Sequence, residues 1–424
     1  MKSNELKEKL KSGALSEYGA IYADTASEAE RMYNAVERFE QLYGEGREVM
    51  LLSVPGRSEI IGNHTDHNRG RVMAGAIDRD IIAVVSKSDK GVVRLLSEGY
   101  KPDTVDLGCE LSPSRARKFT SNALIAGVAD GIRTAGYAIG GFDAYTTTKV
   151  LKGSGLSSSA AFEVMIGNIF NHLYNGGKID NKEIAKIGQY AENTYFGKPS
   201  GLMDQMACAV GGFVYIDFEN KAAPTVEPIS LSLGEHGYSL CIINTGGSHA
   251  NLNDDYASVP SEMRSVAALF GKAELRGVSE ADIIKSAKKI RALLGDRALL
   301  RAIHFVREND RVDTAREALL KGDVEEFLHT VGASGRSSFM YLQNVYTNQK
   351  PDEQGLSLAL ALADGYLKDK RGAFRVHGGG FAGTVQVFVR HEDVDGLSAL
   401  MDGVFGEGAT MRLSIRALGA CRLF

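Results

Sequence analysis

Glycine constrains this chain more than any other residue type. There are 48 glycines against eight prolines in 424 residues, and they are gathered into clusters rather than spread as in a flexible linker. Three clusters stand out: PGR with GNH inside VPGRSEIIGNHTDHNRGRV (54–72), GSGLSSSA (153–160) and HGGGFAGT (377–384). Glycine lets a backbone turn tightly or approach a ligand closely, and the first cluster reads as a glycine turn. Between the clusters the chain alternates strand-like and helix-like segments, with no low-complexity stretch and no internal repeat, so the architecture reads as mixed α and β.

β-branched, aromatic and alternating content predicts strands over 49–54, 81–86, 92–97, 142–150 and 211–218. Helical spacing of Ala161, Val164, Met165, Ile169 and Leu173 predicts a helix over 158–174. Further helices are expected over 121–135 and 181–195, the latter capped by Asp180 with Glu183 three residues on. Beyond about residue 236 longer helical patterns take over, at 255–270, 279–293, 296–319, 323–332 and 355–369, with strands at 238–244, 373–377 and 384–390. The polar stretch 219–236 reads as an inter-domain crossing, which divides the chain into domains 1–236 and 237–424.

A net charge of −4 and a pI near 6.2 supply no basic field for nucleic acid or anionic lipid. The charged N-terminus lacks an apolar signal core and no apolar run is long enough to span a bilayer, so a cytoplasmic protein without membrane partner is expected. The four cysteines, Cys109, Cys208, Cys241 and Cys421, are too widely spaced for a metal knuckle. The apolar neighbours of Cys208 and Cys241 suggest reduced core residues. Oligomeric state is left open.

The GSGLSSSAAFEVM segment follows a predicted strand and opens a predicted helix. Unpartnered helix amides, the helix dipole and serine hydroxyls together suit a phosphate. The segment is neither GxxxxGK[ST] nor GxGxxG, so taken alone it serves equally well as a phosphate loop or as a turn capping a core helix, and a nicotinamide site has no support. Downstream, AENTYFGKPSGLMDQ sets Glu192 and Asp204 on either side of a glycine-proline turn. A carboxylate and a serine hydroxyl are oxygen donors suited to magnesium. His64 and His67 lack a third nitrogen or sulfur ligand nearby, which argues against a transition metal. Arg69 and Arg71 read as solvated charges.

Taken together and in this order, PGRSEIIGNHTDH, GSGLSSSAA, GLMDQ with Glu192 upstream, and GGGFAG resemble the galactokinases of the GHMP kinase superfamily, over most of the chain. The resemblance implies a two-domain α+β fold, with a ribosomal-S5-like N-terminal domain, a ferredoxin-like C-terminal domain and the active site in the cleft between them. It implies an ATP-dependent sugar 1-kinase. Asp204 would face the anomeric hydroxyl and Arg57 would stabilise developing charge. Gly153, Ser154, Gly155, Leu156, Ser157, Ser158 and Ser159 would cradle the triphosphate, and Ser159 and Glu192 would hold Mg2+. Asn63, His64, Thr65, Asp66 and Tyr256 would contact the sugar, and the 378–380 glycines would line the cleft.

Three positions depart from the galactokinase pattern. Asn63 stands where the family has glutamate, His67 where it has tyrosine, and Glu59 where it has asparagine. A neutral amide at 63 would not repel a C6 carboxylate, so a kinase for galacturonate, or for N-acetylgalactosamine, stands beside galactose. A sensor that binds ATP and galactose without turnover is a further class. The presence of Arg57, Ser159, Glu192 and Asp204 argues for turnover.

Overall fold

Several strands of this protein are apolar on both faces, and the fold uses both. In the strand Arg71–Lys87, Ile81, Ala83 and Val85 join one buried cluster while Ile82 and Val84 join another. A strand buried on two sides needs helices above and below its sheet. A computed structural model describes every residue except 20, 23, 110, 151–154 and 248–251.

The strands in chain order are β1 (Met50–Ile61), β2 (Arg71–Lys87), β3 (Val92–Ser97), β4 (Asp103–Asp106), β5 (Phe142–Thr148) and β6 (Phe213–Asp217). They continue with β7 (Thr225–Ile229), β8 (Tyr238–Asn244), β9 (Gly372–His377), β10 (Thr384–Arg390), β11 (Thr410–Leu413) and β12 (Cys421–Arg422). Among the described residues an eight-stranded sheet runs β12-β1-β2-β5-β3-β4, with β6 on the first half of β2 and β7 on β6. A four-stranded antiparallel sheet runs β11-β8-β10-β9.

The helices are α1 (Ser3–Lys11), α2 (Thr25–Tyr43), α3 (Ser121–Thr134), α4 (Ser158–Tyr174), α5 (Asn181–Tyr190) and α6 (Met203–Val210). The rest are α7 (Asn253–Ala268), α8 (Glu280–Lys285), α9 (Ala287–Lys321), α10 (Val324–Ser337), α11 (Gly355–Leu367) and α12 (Val394–Phe405). Helices α1 and α2 cover one face of the large sheet through Leu6, Met32, Val36 and Phe39, and α3 to α6 cover the other. In the small sheet the two-residue period recurs. Cys241, Ile243, Val385 and Val387 face α11 and α12, while Leu240, Ile242 and Phe388 join the large core. Cys208 and Cys241 are buried free thiols, as their apolar neighbours suggest.

The mixed α and β architecture stands, and the helix over 158–174 and the strands over 92–97, 238–244 and 384–390 fall where patterning puts them. Other elements differ. PGR is not a turn: Pro55, Gly56 and Arg57 lie inside β1 and span a register shift in its pairing with β2. Glycine is needed there for close approach, since a Cβ on Gly56 would stand 2.8 Å from the Leu156 carbonyl oxygen. The stretch 219–236 contains β7 rather than only a crossing. The helix expected over 279–293 is split near Ser286 into α8 and the start of α9, while the expected break before 296 falls at Gly295, where α9 is interrupted at φ 84°. Arg71 is not a solvated charge, for it pairs with Asp217 at 2.9 Å and Asp313 at 2.7 Å, and Arg69 reaches Glu274 at 3.4 Å.

Candidate active site

The irregular pairing of β1 presents Arg57 to the start of α6, where Asp204 occupies the first turn. Arg57 Nε and Nη2 donate to the two oxygens of Asp204 at 2.7 and 2.8 Å, a bidentate pair, and Nη1 donates to the Gly155 carbonyl at 2.5 Å. Burial by itself would raise the Asp204 pKa, but the Arg57 guanidinium and the Ser157 hydroxyl hold it below the usual carboxylate range. The carboxylate is therefore ionised at neutral pH. Arg57 is buried, whereas the Asp204 side chain keeps 32% of its surface open.

The phosphate-loop candidate begins outside the described residues, where Gly153 and Ser154 lie. From Gly155 it runs beside Arg57 into α4. Ser157 sits at the helix N-cap with φ 59° and makes no side-chain cap. Its hydroxyl instead donates to Asp204 Oδ2 at 2.6 Å. A helix start without a side-chain cap leaves its first amides for an external acceptor, and Ser158 and Ser159 lie in that turn, with Leu156 buried behind them.

Ser159 Oγ lies 3.3 Å from Glu192 Oε1. Glu192 is 2% exposed and belongs to a π-helical turn, Ala191–Phe196, that follows α5. Lys198 Nζ stands 3.1 Å from the same Oε1 on a largely exposed side chain. One carboxylate and one hydroxyl oxygen, converging where a cation already stands, form a donor set that fits magnesium. Gln205 donates from Nε2 to Glu192 Oε2 and to Glu163 Oε2, both at 2.9 Å. Burial and the charge of Glu192 raise the Glu163 pKa well above its ordinary value.

The residues expected to meet a sugar divide sharply. Asn63 is 1% exposed and its amide is fully engaged: Nδ2 donates to Glu59 Oε1 (2.9 Å) and the Gly378 carbonyl (2.7 Å). Its Oδ1 accepts from Asn344 Nδ2 (2.7 Å) and Ser338 Oγ (3.4 Å). Thr65 is fully buried and bonds the carbonyls of Gly62 and Arg71. His64 Nε2 bonds the Gly379 carbonyl at 2.8 Å, and the Tyr256 hydroxyl donates to the Gly380 carbonyl at 2.8 Å. Three consecutive carbonyls of the glycine run are thus held by Asn63, His64 and Tyr256. Asp66 differs from all of these.

Among the described residues no side chain donates a hydrogen bond to the Asp66 carboxylate, which lies beside Gly201, close enough that a Cβ there would stand 2.7 Å from Oδ2. Burial raises its pKa, His64 opposes the rise, and the nearby charges of Glu59 and Asp204 add to it. Arg57, Asp204, Asp66, Ser159 and Glu192 therefore gather around the starts of α4 and α6.

Several residues of this region carry no local sequence signal. Asn344 follows Gln343, a left-handed residue at φ 58°, and only the tertiary fold brings it to Asn63. His377, buried behind Gly155, joins Ser58 Oγ (3.1 Å) to Thr384 Oγ1 (2.8 Å), and burial with the charges of Arg57 and Arg375 pushes its pKa down to about 3. Gln205 and Glu163 could have been found: the first is adjacent to Asp204 and the second is one helical turn beyond Ser159.

Known proteins resemble this chain over most of its length. The model of the GHMP kinases N terminal domain matches residues 123–212, and that of the galactokinase galactose-binding signature matches residues 37–87. A galactokinase of Streptomyces coelicolor is 33% identical over 375 residues, covering 87% of this chain and 92% of its own length. One of Actinobacillus pleuropneumoniae is 32% identical over 393 residues, covering 91% and 97%. The crystal structure of Lactococcus lactis galactokinase complexed with galactose superposes with a TM-score of 0.76 at 25% identity, covering 91% of this chain and 98% of that one. With a third of positions identical across nearly the whole of both proteins, the chain belongs to the galactokinase family, sugar kinases of the GHMP superfamily.

Proposed function

We propose that this chain transfers the γ-phosphoryl group of ATP to the anomeric hydroxyl of galactose, giving galactose 1-phosphate and ADP. The observation that carries the reading is the Arg57–Asp204 pair, open on one side and set against the start of α4. Membership of the GHMP kinases brings ATP as phosphoryl donor. The amides of Gly155, Leu156, Ser157, Ser158 and Ser159 suit its phosphates, and Gly153 and Ser154 complete that loop in sequence.

Asp204, ionised and held on both oxygens, accepts the hydrogen bond of the anomeric hydroxyl and aims its oxygen at the phosphorus. A carboxylate with a depressed pKa is a weak base, so the anomeric proton passes to Asp204 late, as the new O–P bond forms and the γ-phosphorus–ADP oxygen bond breaks. Arg57 stabilises the charge that develops between nucleophile and phosphoryl oxygens. Asp66 accepts from sugar hydroxyls. Asn63, His64 and Tyr256 hold the glycine run that walls the cleft. Thr65 fixes the turn carrying Asp66. Ser159 and Glu192 would hold Mg2+, which neutralises phosphate charge when bound.

The test is ADP release by the purified protein with ATP and Mg2+, offered galactose, galacturonate, N-acetylgalactosamine, arabinose and glucose in parallel. Turnover on galactose is expected. Turnover confined to galacturonate or N-acetylgalactosamine would replace the substrate and keep the reaction. Binding of galactose without ADP release would move the protein to the sensor class.

A further inference from the structure

Gln205 sits between two buried carboxylates, and that arrangement has a cost that packing alone does not explain. Gln205 and Glu163 are both fully buried, and each keeps one side-chain oxygen without a hydrogen-bond partner. Buried polar groups left unpaired destabilise a fold, and an apolar pair of similar size would avoid this. The orientation of the amide is nevertheless fixed, because only its NH2 end can face the Glu192 carboxylate.

The surroundings are built to admit this pair. A Cβ on Gly188 of α5 would stand 3.2 Å from Glu163 Cβ and 3.3 Å from Gln205 Cγ, so glycine leaves the room in which the two side chains meet. Ser159 and Glu163 are one turn apart on α4 and share a face. Both address Glu192: Ser159 directly at Oε1, and Glu163 through Gln205 at Oε2. Glu192 stands in a π-helical turn, an irregularity that often re-aims a functional side chain.

We propose that Gln205 is the positioning residue for Glu192, anchored by Glu163, and that it sets how tightly this site takes a magnesium–nucleotide. The proposal rests on the reading of Ser159 and Glu192 as the metal donors. Gln205 immediately follows Asp204 on α6, so one helical turn aims both the carboxylate that faces the sugar and the carboxylate that faces the metal.

The test compares the wild type with Gln205→Met, which keeps length and removes both donors, and with Glu163→Gln, which still offers Gln205 an oxygen. One readout is the free Mg2+ concentration giving half-maximal turnover. The other requires no turnover: calorimetric titration of ADP with and without Mg2+. Outer partners of metal ligands commonly govern affinity by about 10–100-fold, and Gln205→Met is expected to raise the Mg2+ requirement and shrink the Mg2+-dependent gain in ADP affinity by roughly that factor. Galactose KM and Mg2+-free ADP affinity are expected to stay within about twofold, a pattern a general structural defect would not produce. Glu163→Gln is expected to keep a Mg2+ requirement close to that of the wild type.

Glu192→Gln separates the two ideas. If it shifts the Mg2+ dependence and Gln205→Met does not, the positioning role is overturned and the metal reading stands. If Glu192→Gln leaves the dependence unchanged, the metal reading falls and the proposal with it. Should Gln205→Met unfold at the assay temperature, Gly188→Ala presses a methyl group on the same pair and is read in the same way.

Discussion

Arg57 grips both oxygens of Asp204 at 2.7 and 2.8 Å, yet a third of the Asp204 side chain stays open. A bidentate ion pair in a buried wall fixes the carboxylate to within a fraction of an ångström, which suits a group that must aim a hydroxyl. Asp204→Asn keeps the shape and removes the charge. It is expected to lower kcat by about a hundred- to ten-thousand-fold, with galactose and ATP dissociation constants changed only a few-fold. Turnover near the wild-type rate in a stopped assay would reject the role given to Asp204.

Among the described residues, Asp66 is the one member of the 63–66 segment whose side chain is hydrogen-bonded neither to another side chain nor to a main-chain carbonyl. Asp66→Asn is expected to raise the galactose KM by about 10–100-fold, the usual scale for a lost hydrogen bond to a charged group, and to leave ATP KM unchanged. A rise in both constants would place Asp66 outside the sugar site.

Asn63 and Glu59 form a buried amide–acid pair in which each occupies the position that the family pattern gives to the other chemistry. Arg375, fully buried, donates to Glu59 Oε1 at 3.0 Å and fixes the acid. Asn63→Glu alone would set two carboxylates against each other and is expected to destabilise the fold by about 2–4 kcal/mol. Adding Glu59→Asn restores one acid and one amide and is expected to recover at least about 1 kcal/mol beyond additivity. Urea unfolding of the two single variants and the double variant measures that coupling; a purely additive result would mean that the two positions are independent.

Much of this was legible in the sequence, and the limit is instructive. The glycine-serine segment before α4, Glu192 and Asp204 are marked by local pattern, because a helix start and its flanking acids are short-range features. Asn63 carried the same kind of mark and points elsewhere. Whether its amide meets a ligand or a wall is set by Asn344 and Gly378, hundreds of residues away, and no local spacing encodes that contact. The three carbonyls at 378–380 were likewise visible as glycines, whereas the side chains that hold them come from separate elements. Helices α1 and α2 are hard to read because their buried positions are few among charged neighbours, and α12 because it is short and carries two glycines.

Two buried histidines give the fold a pH dependence. Burial pushes His304 down to about 4, and burial with Arg57 and Arg375 pushes His377 down to about 3. Each is therefore neutral when folded and takes up a proton on unfolding below its ordinary value of 6.5. Stability is expected to fall as pH drops from about 6.5 towards 4, by on the order of 3 kcal/mol per histidine. His377→Gln removes one of these groups and is expected to flatten that slope in melting temperature. A slope unchanged from the wild type would show that His377 does not contribute.

The strand β12 pairs with β1, and the buried Arg416 just before it donates to Ser53 at 2.7 Å across 363 residues of sequence. Arg416 also reaches Asp80, a buried carboxylate held by Tyr22 and Arg31 as well. While the protein is being synthesised, the large sheet thus emerges with its β1 edge unpaired, and with Asp80 held by Tyr22 and Arg31 but not yet by Arg416. The β1 edge of that sheet is completed by residues that leave the ribosome hundreds of amino acids after β1 itself.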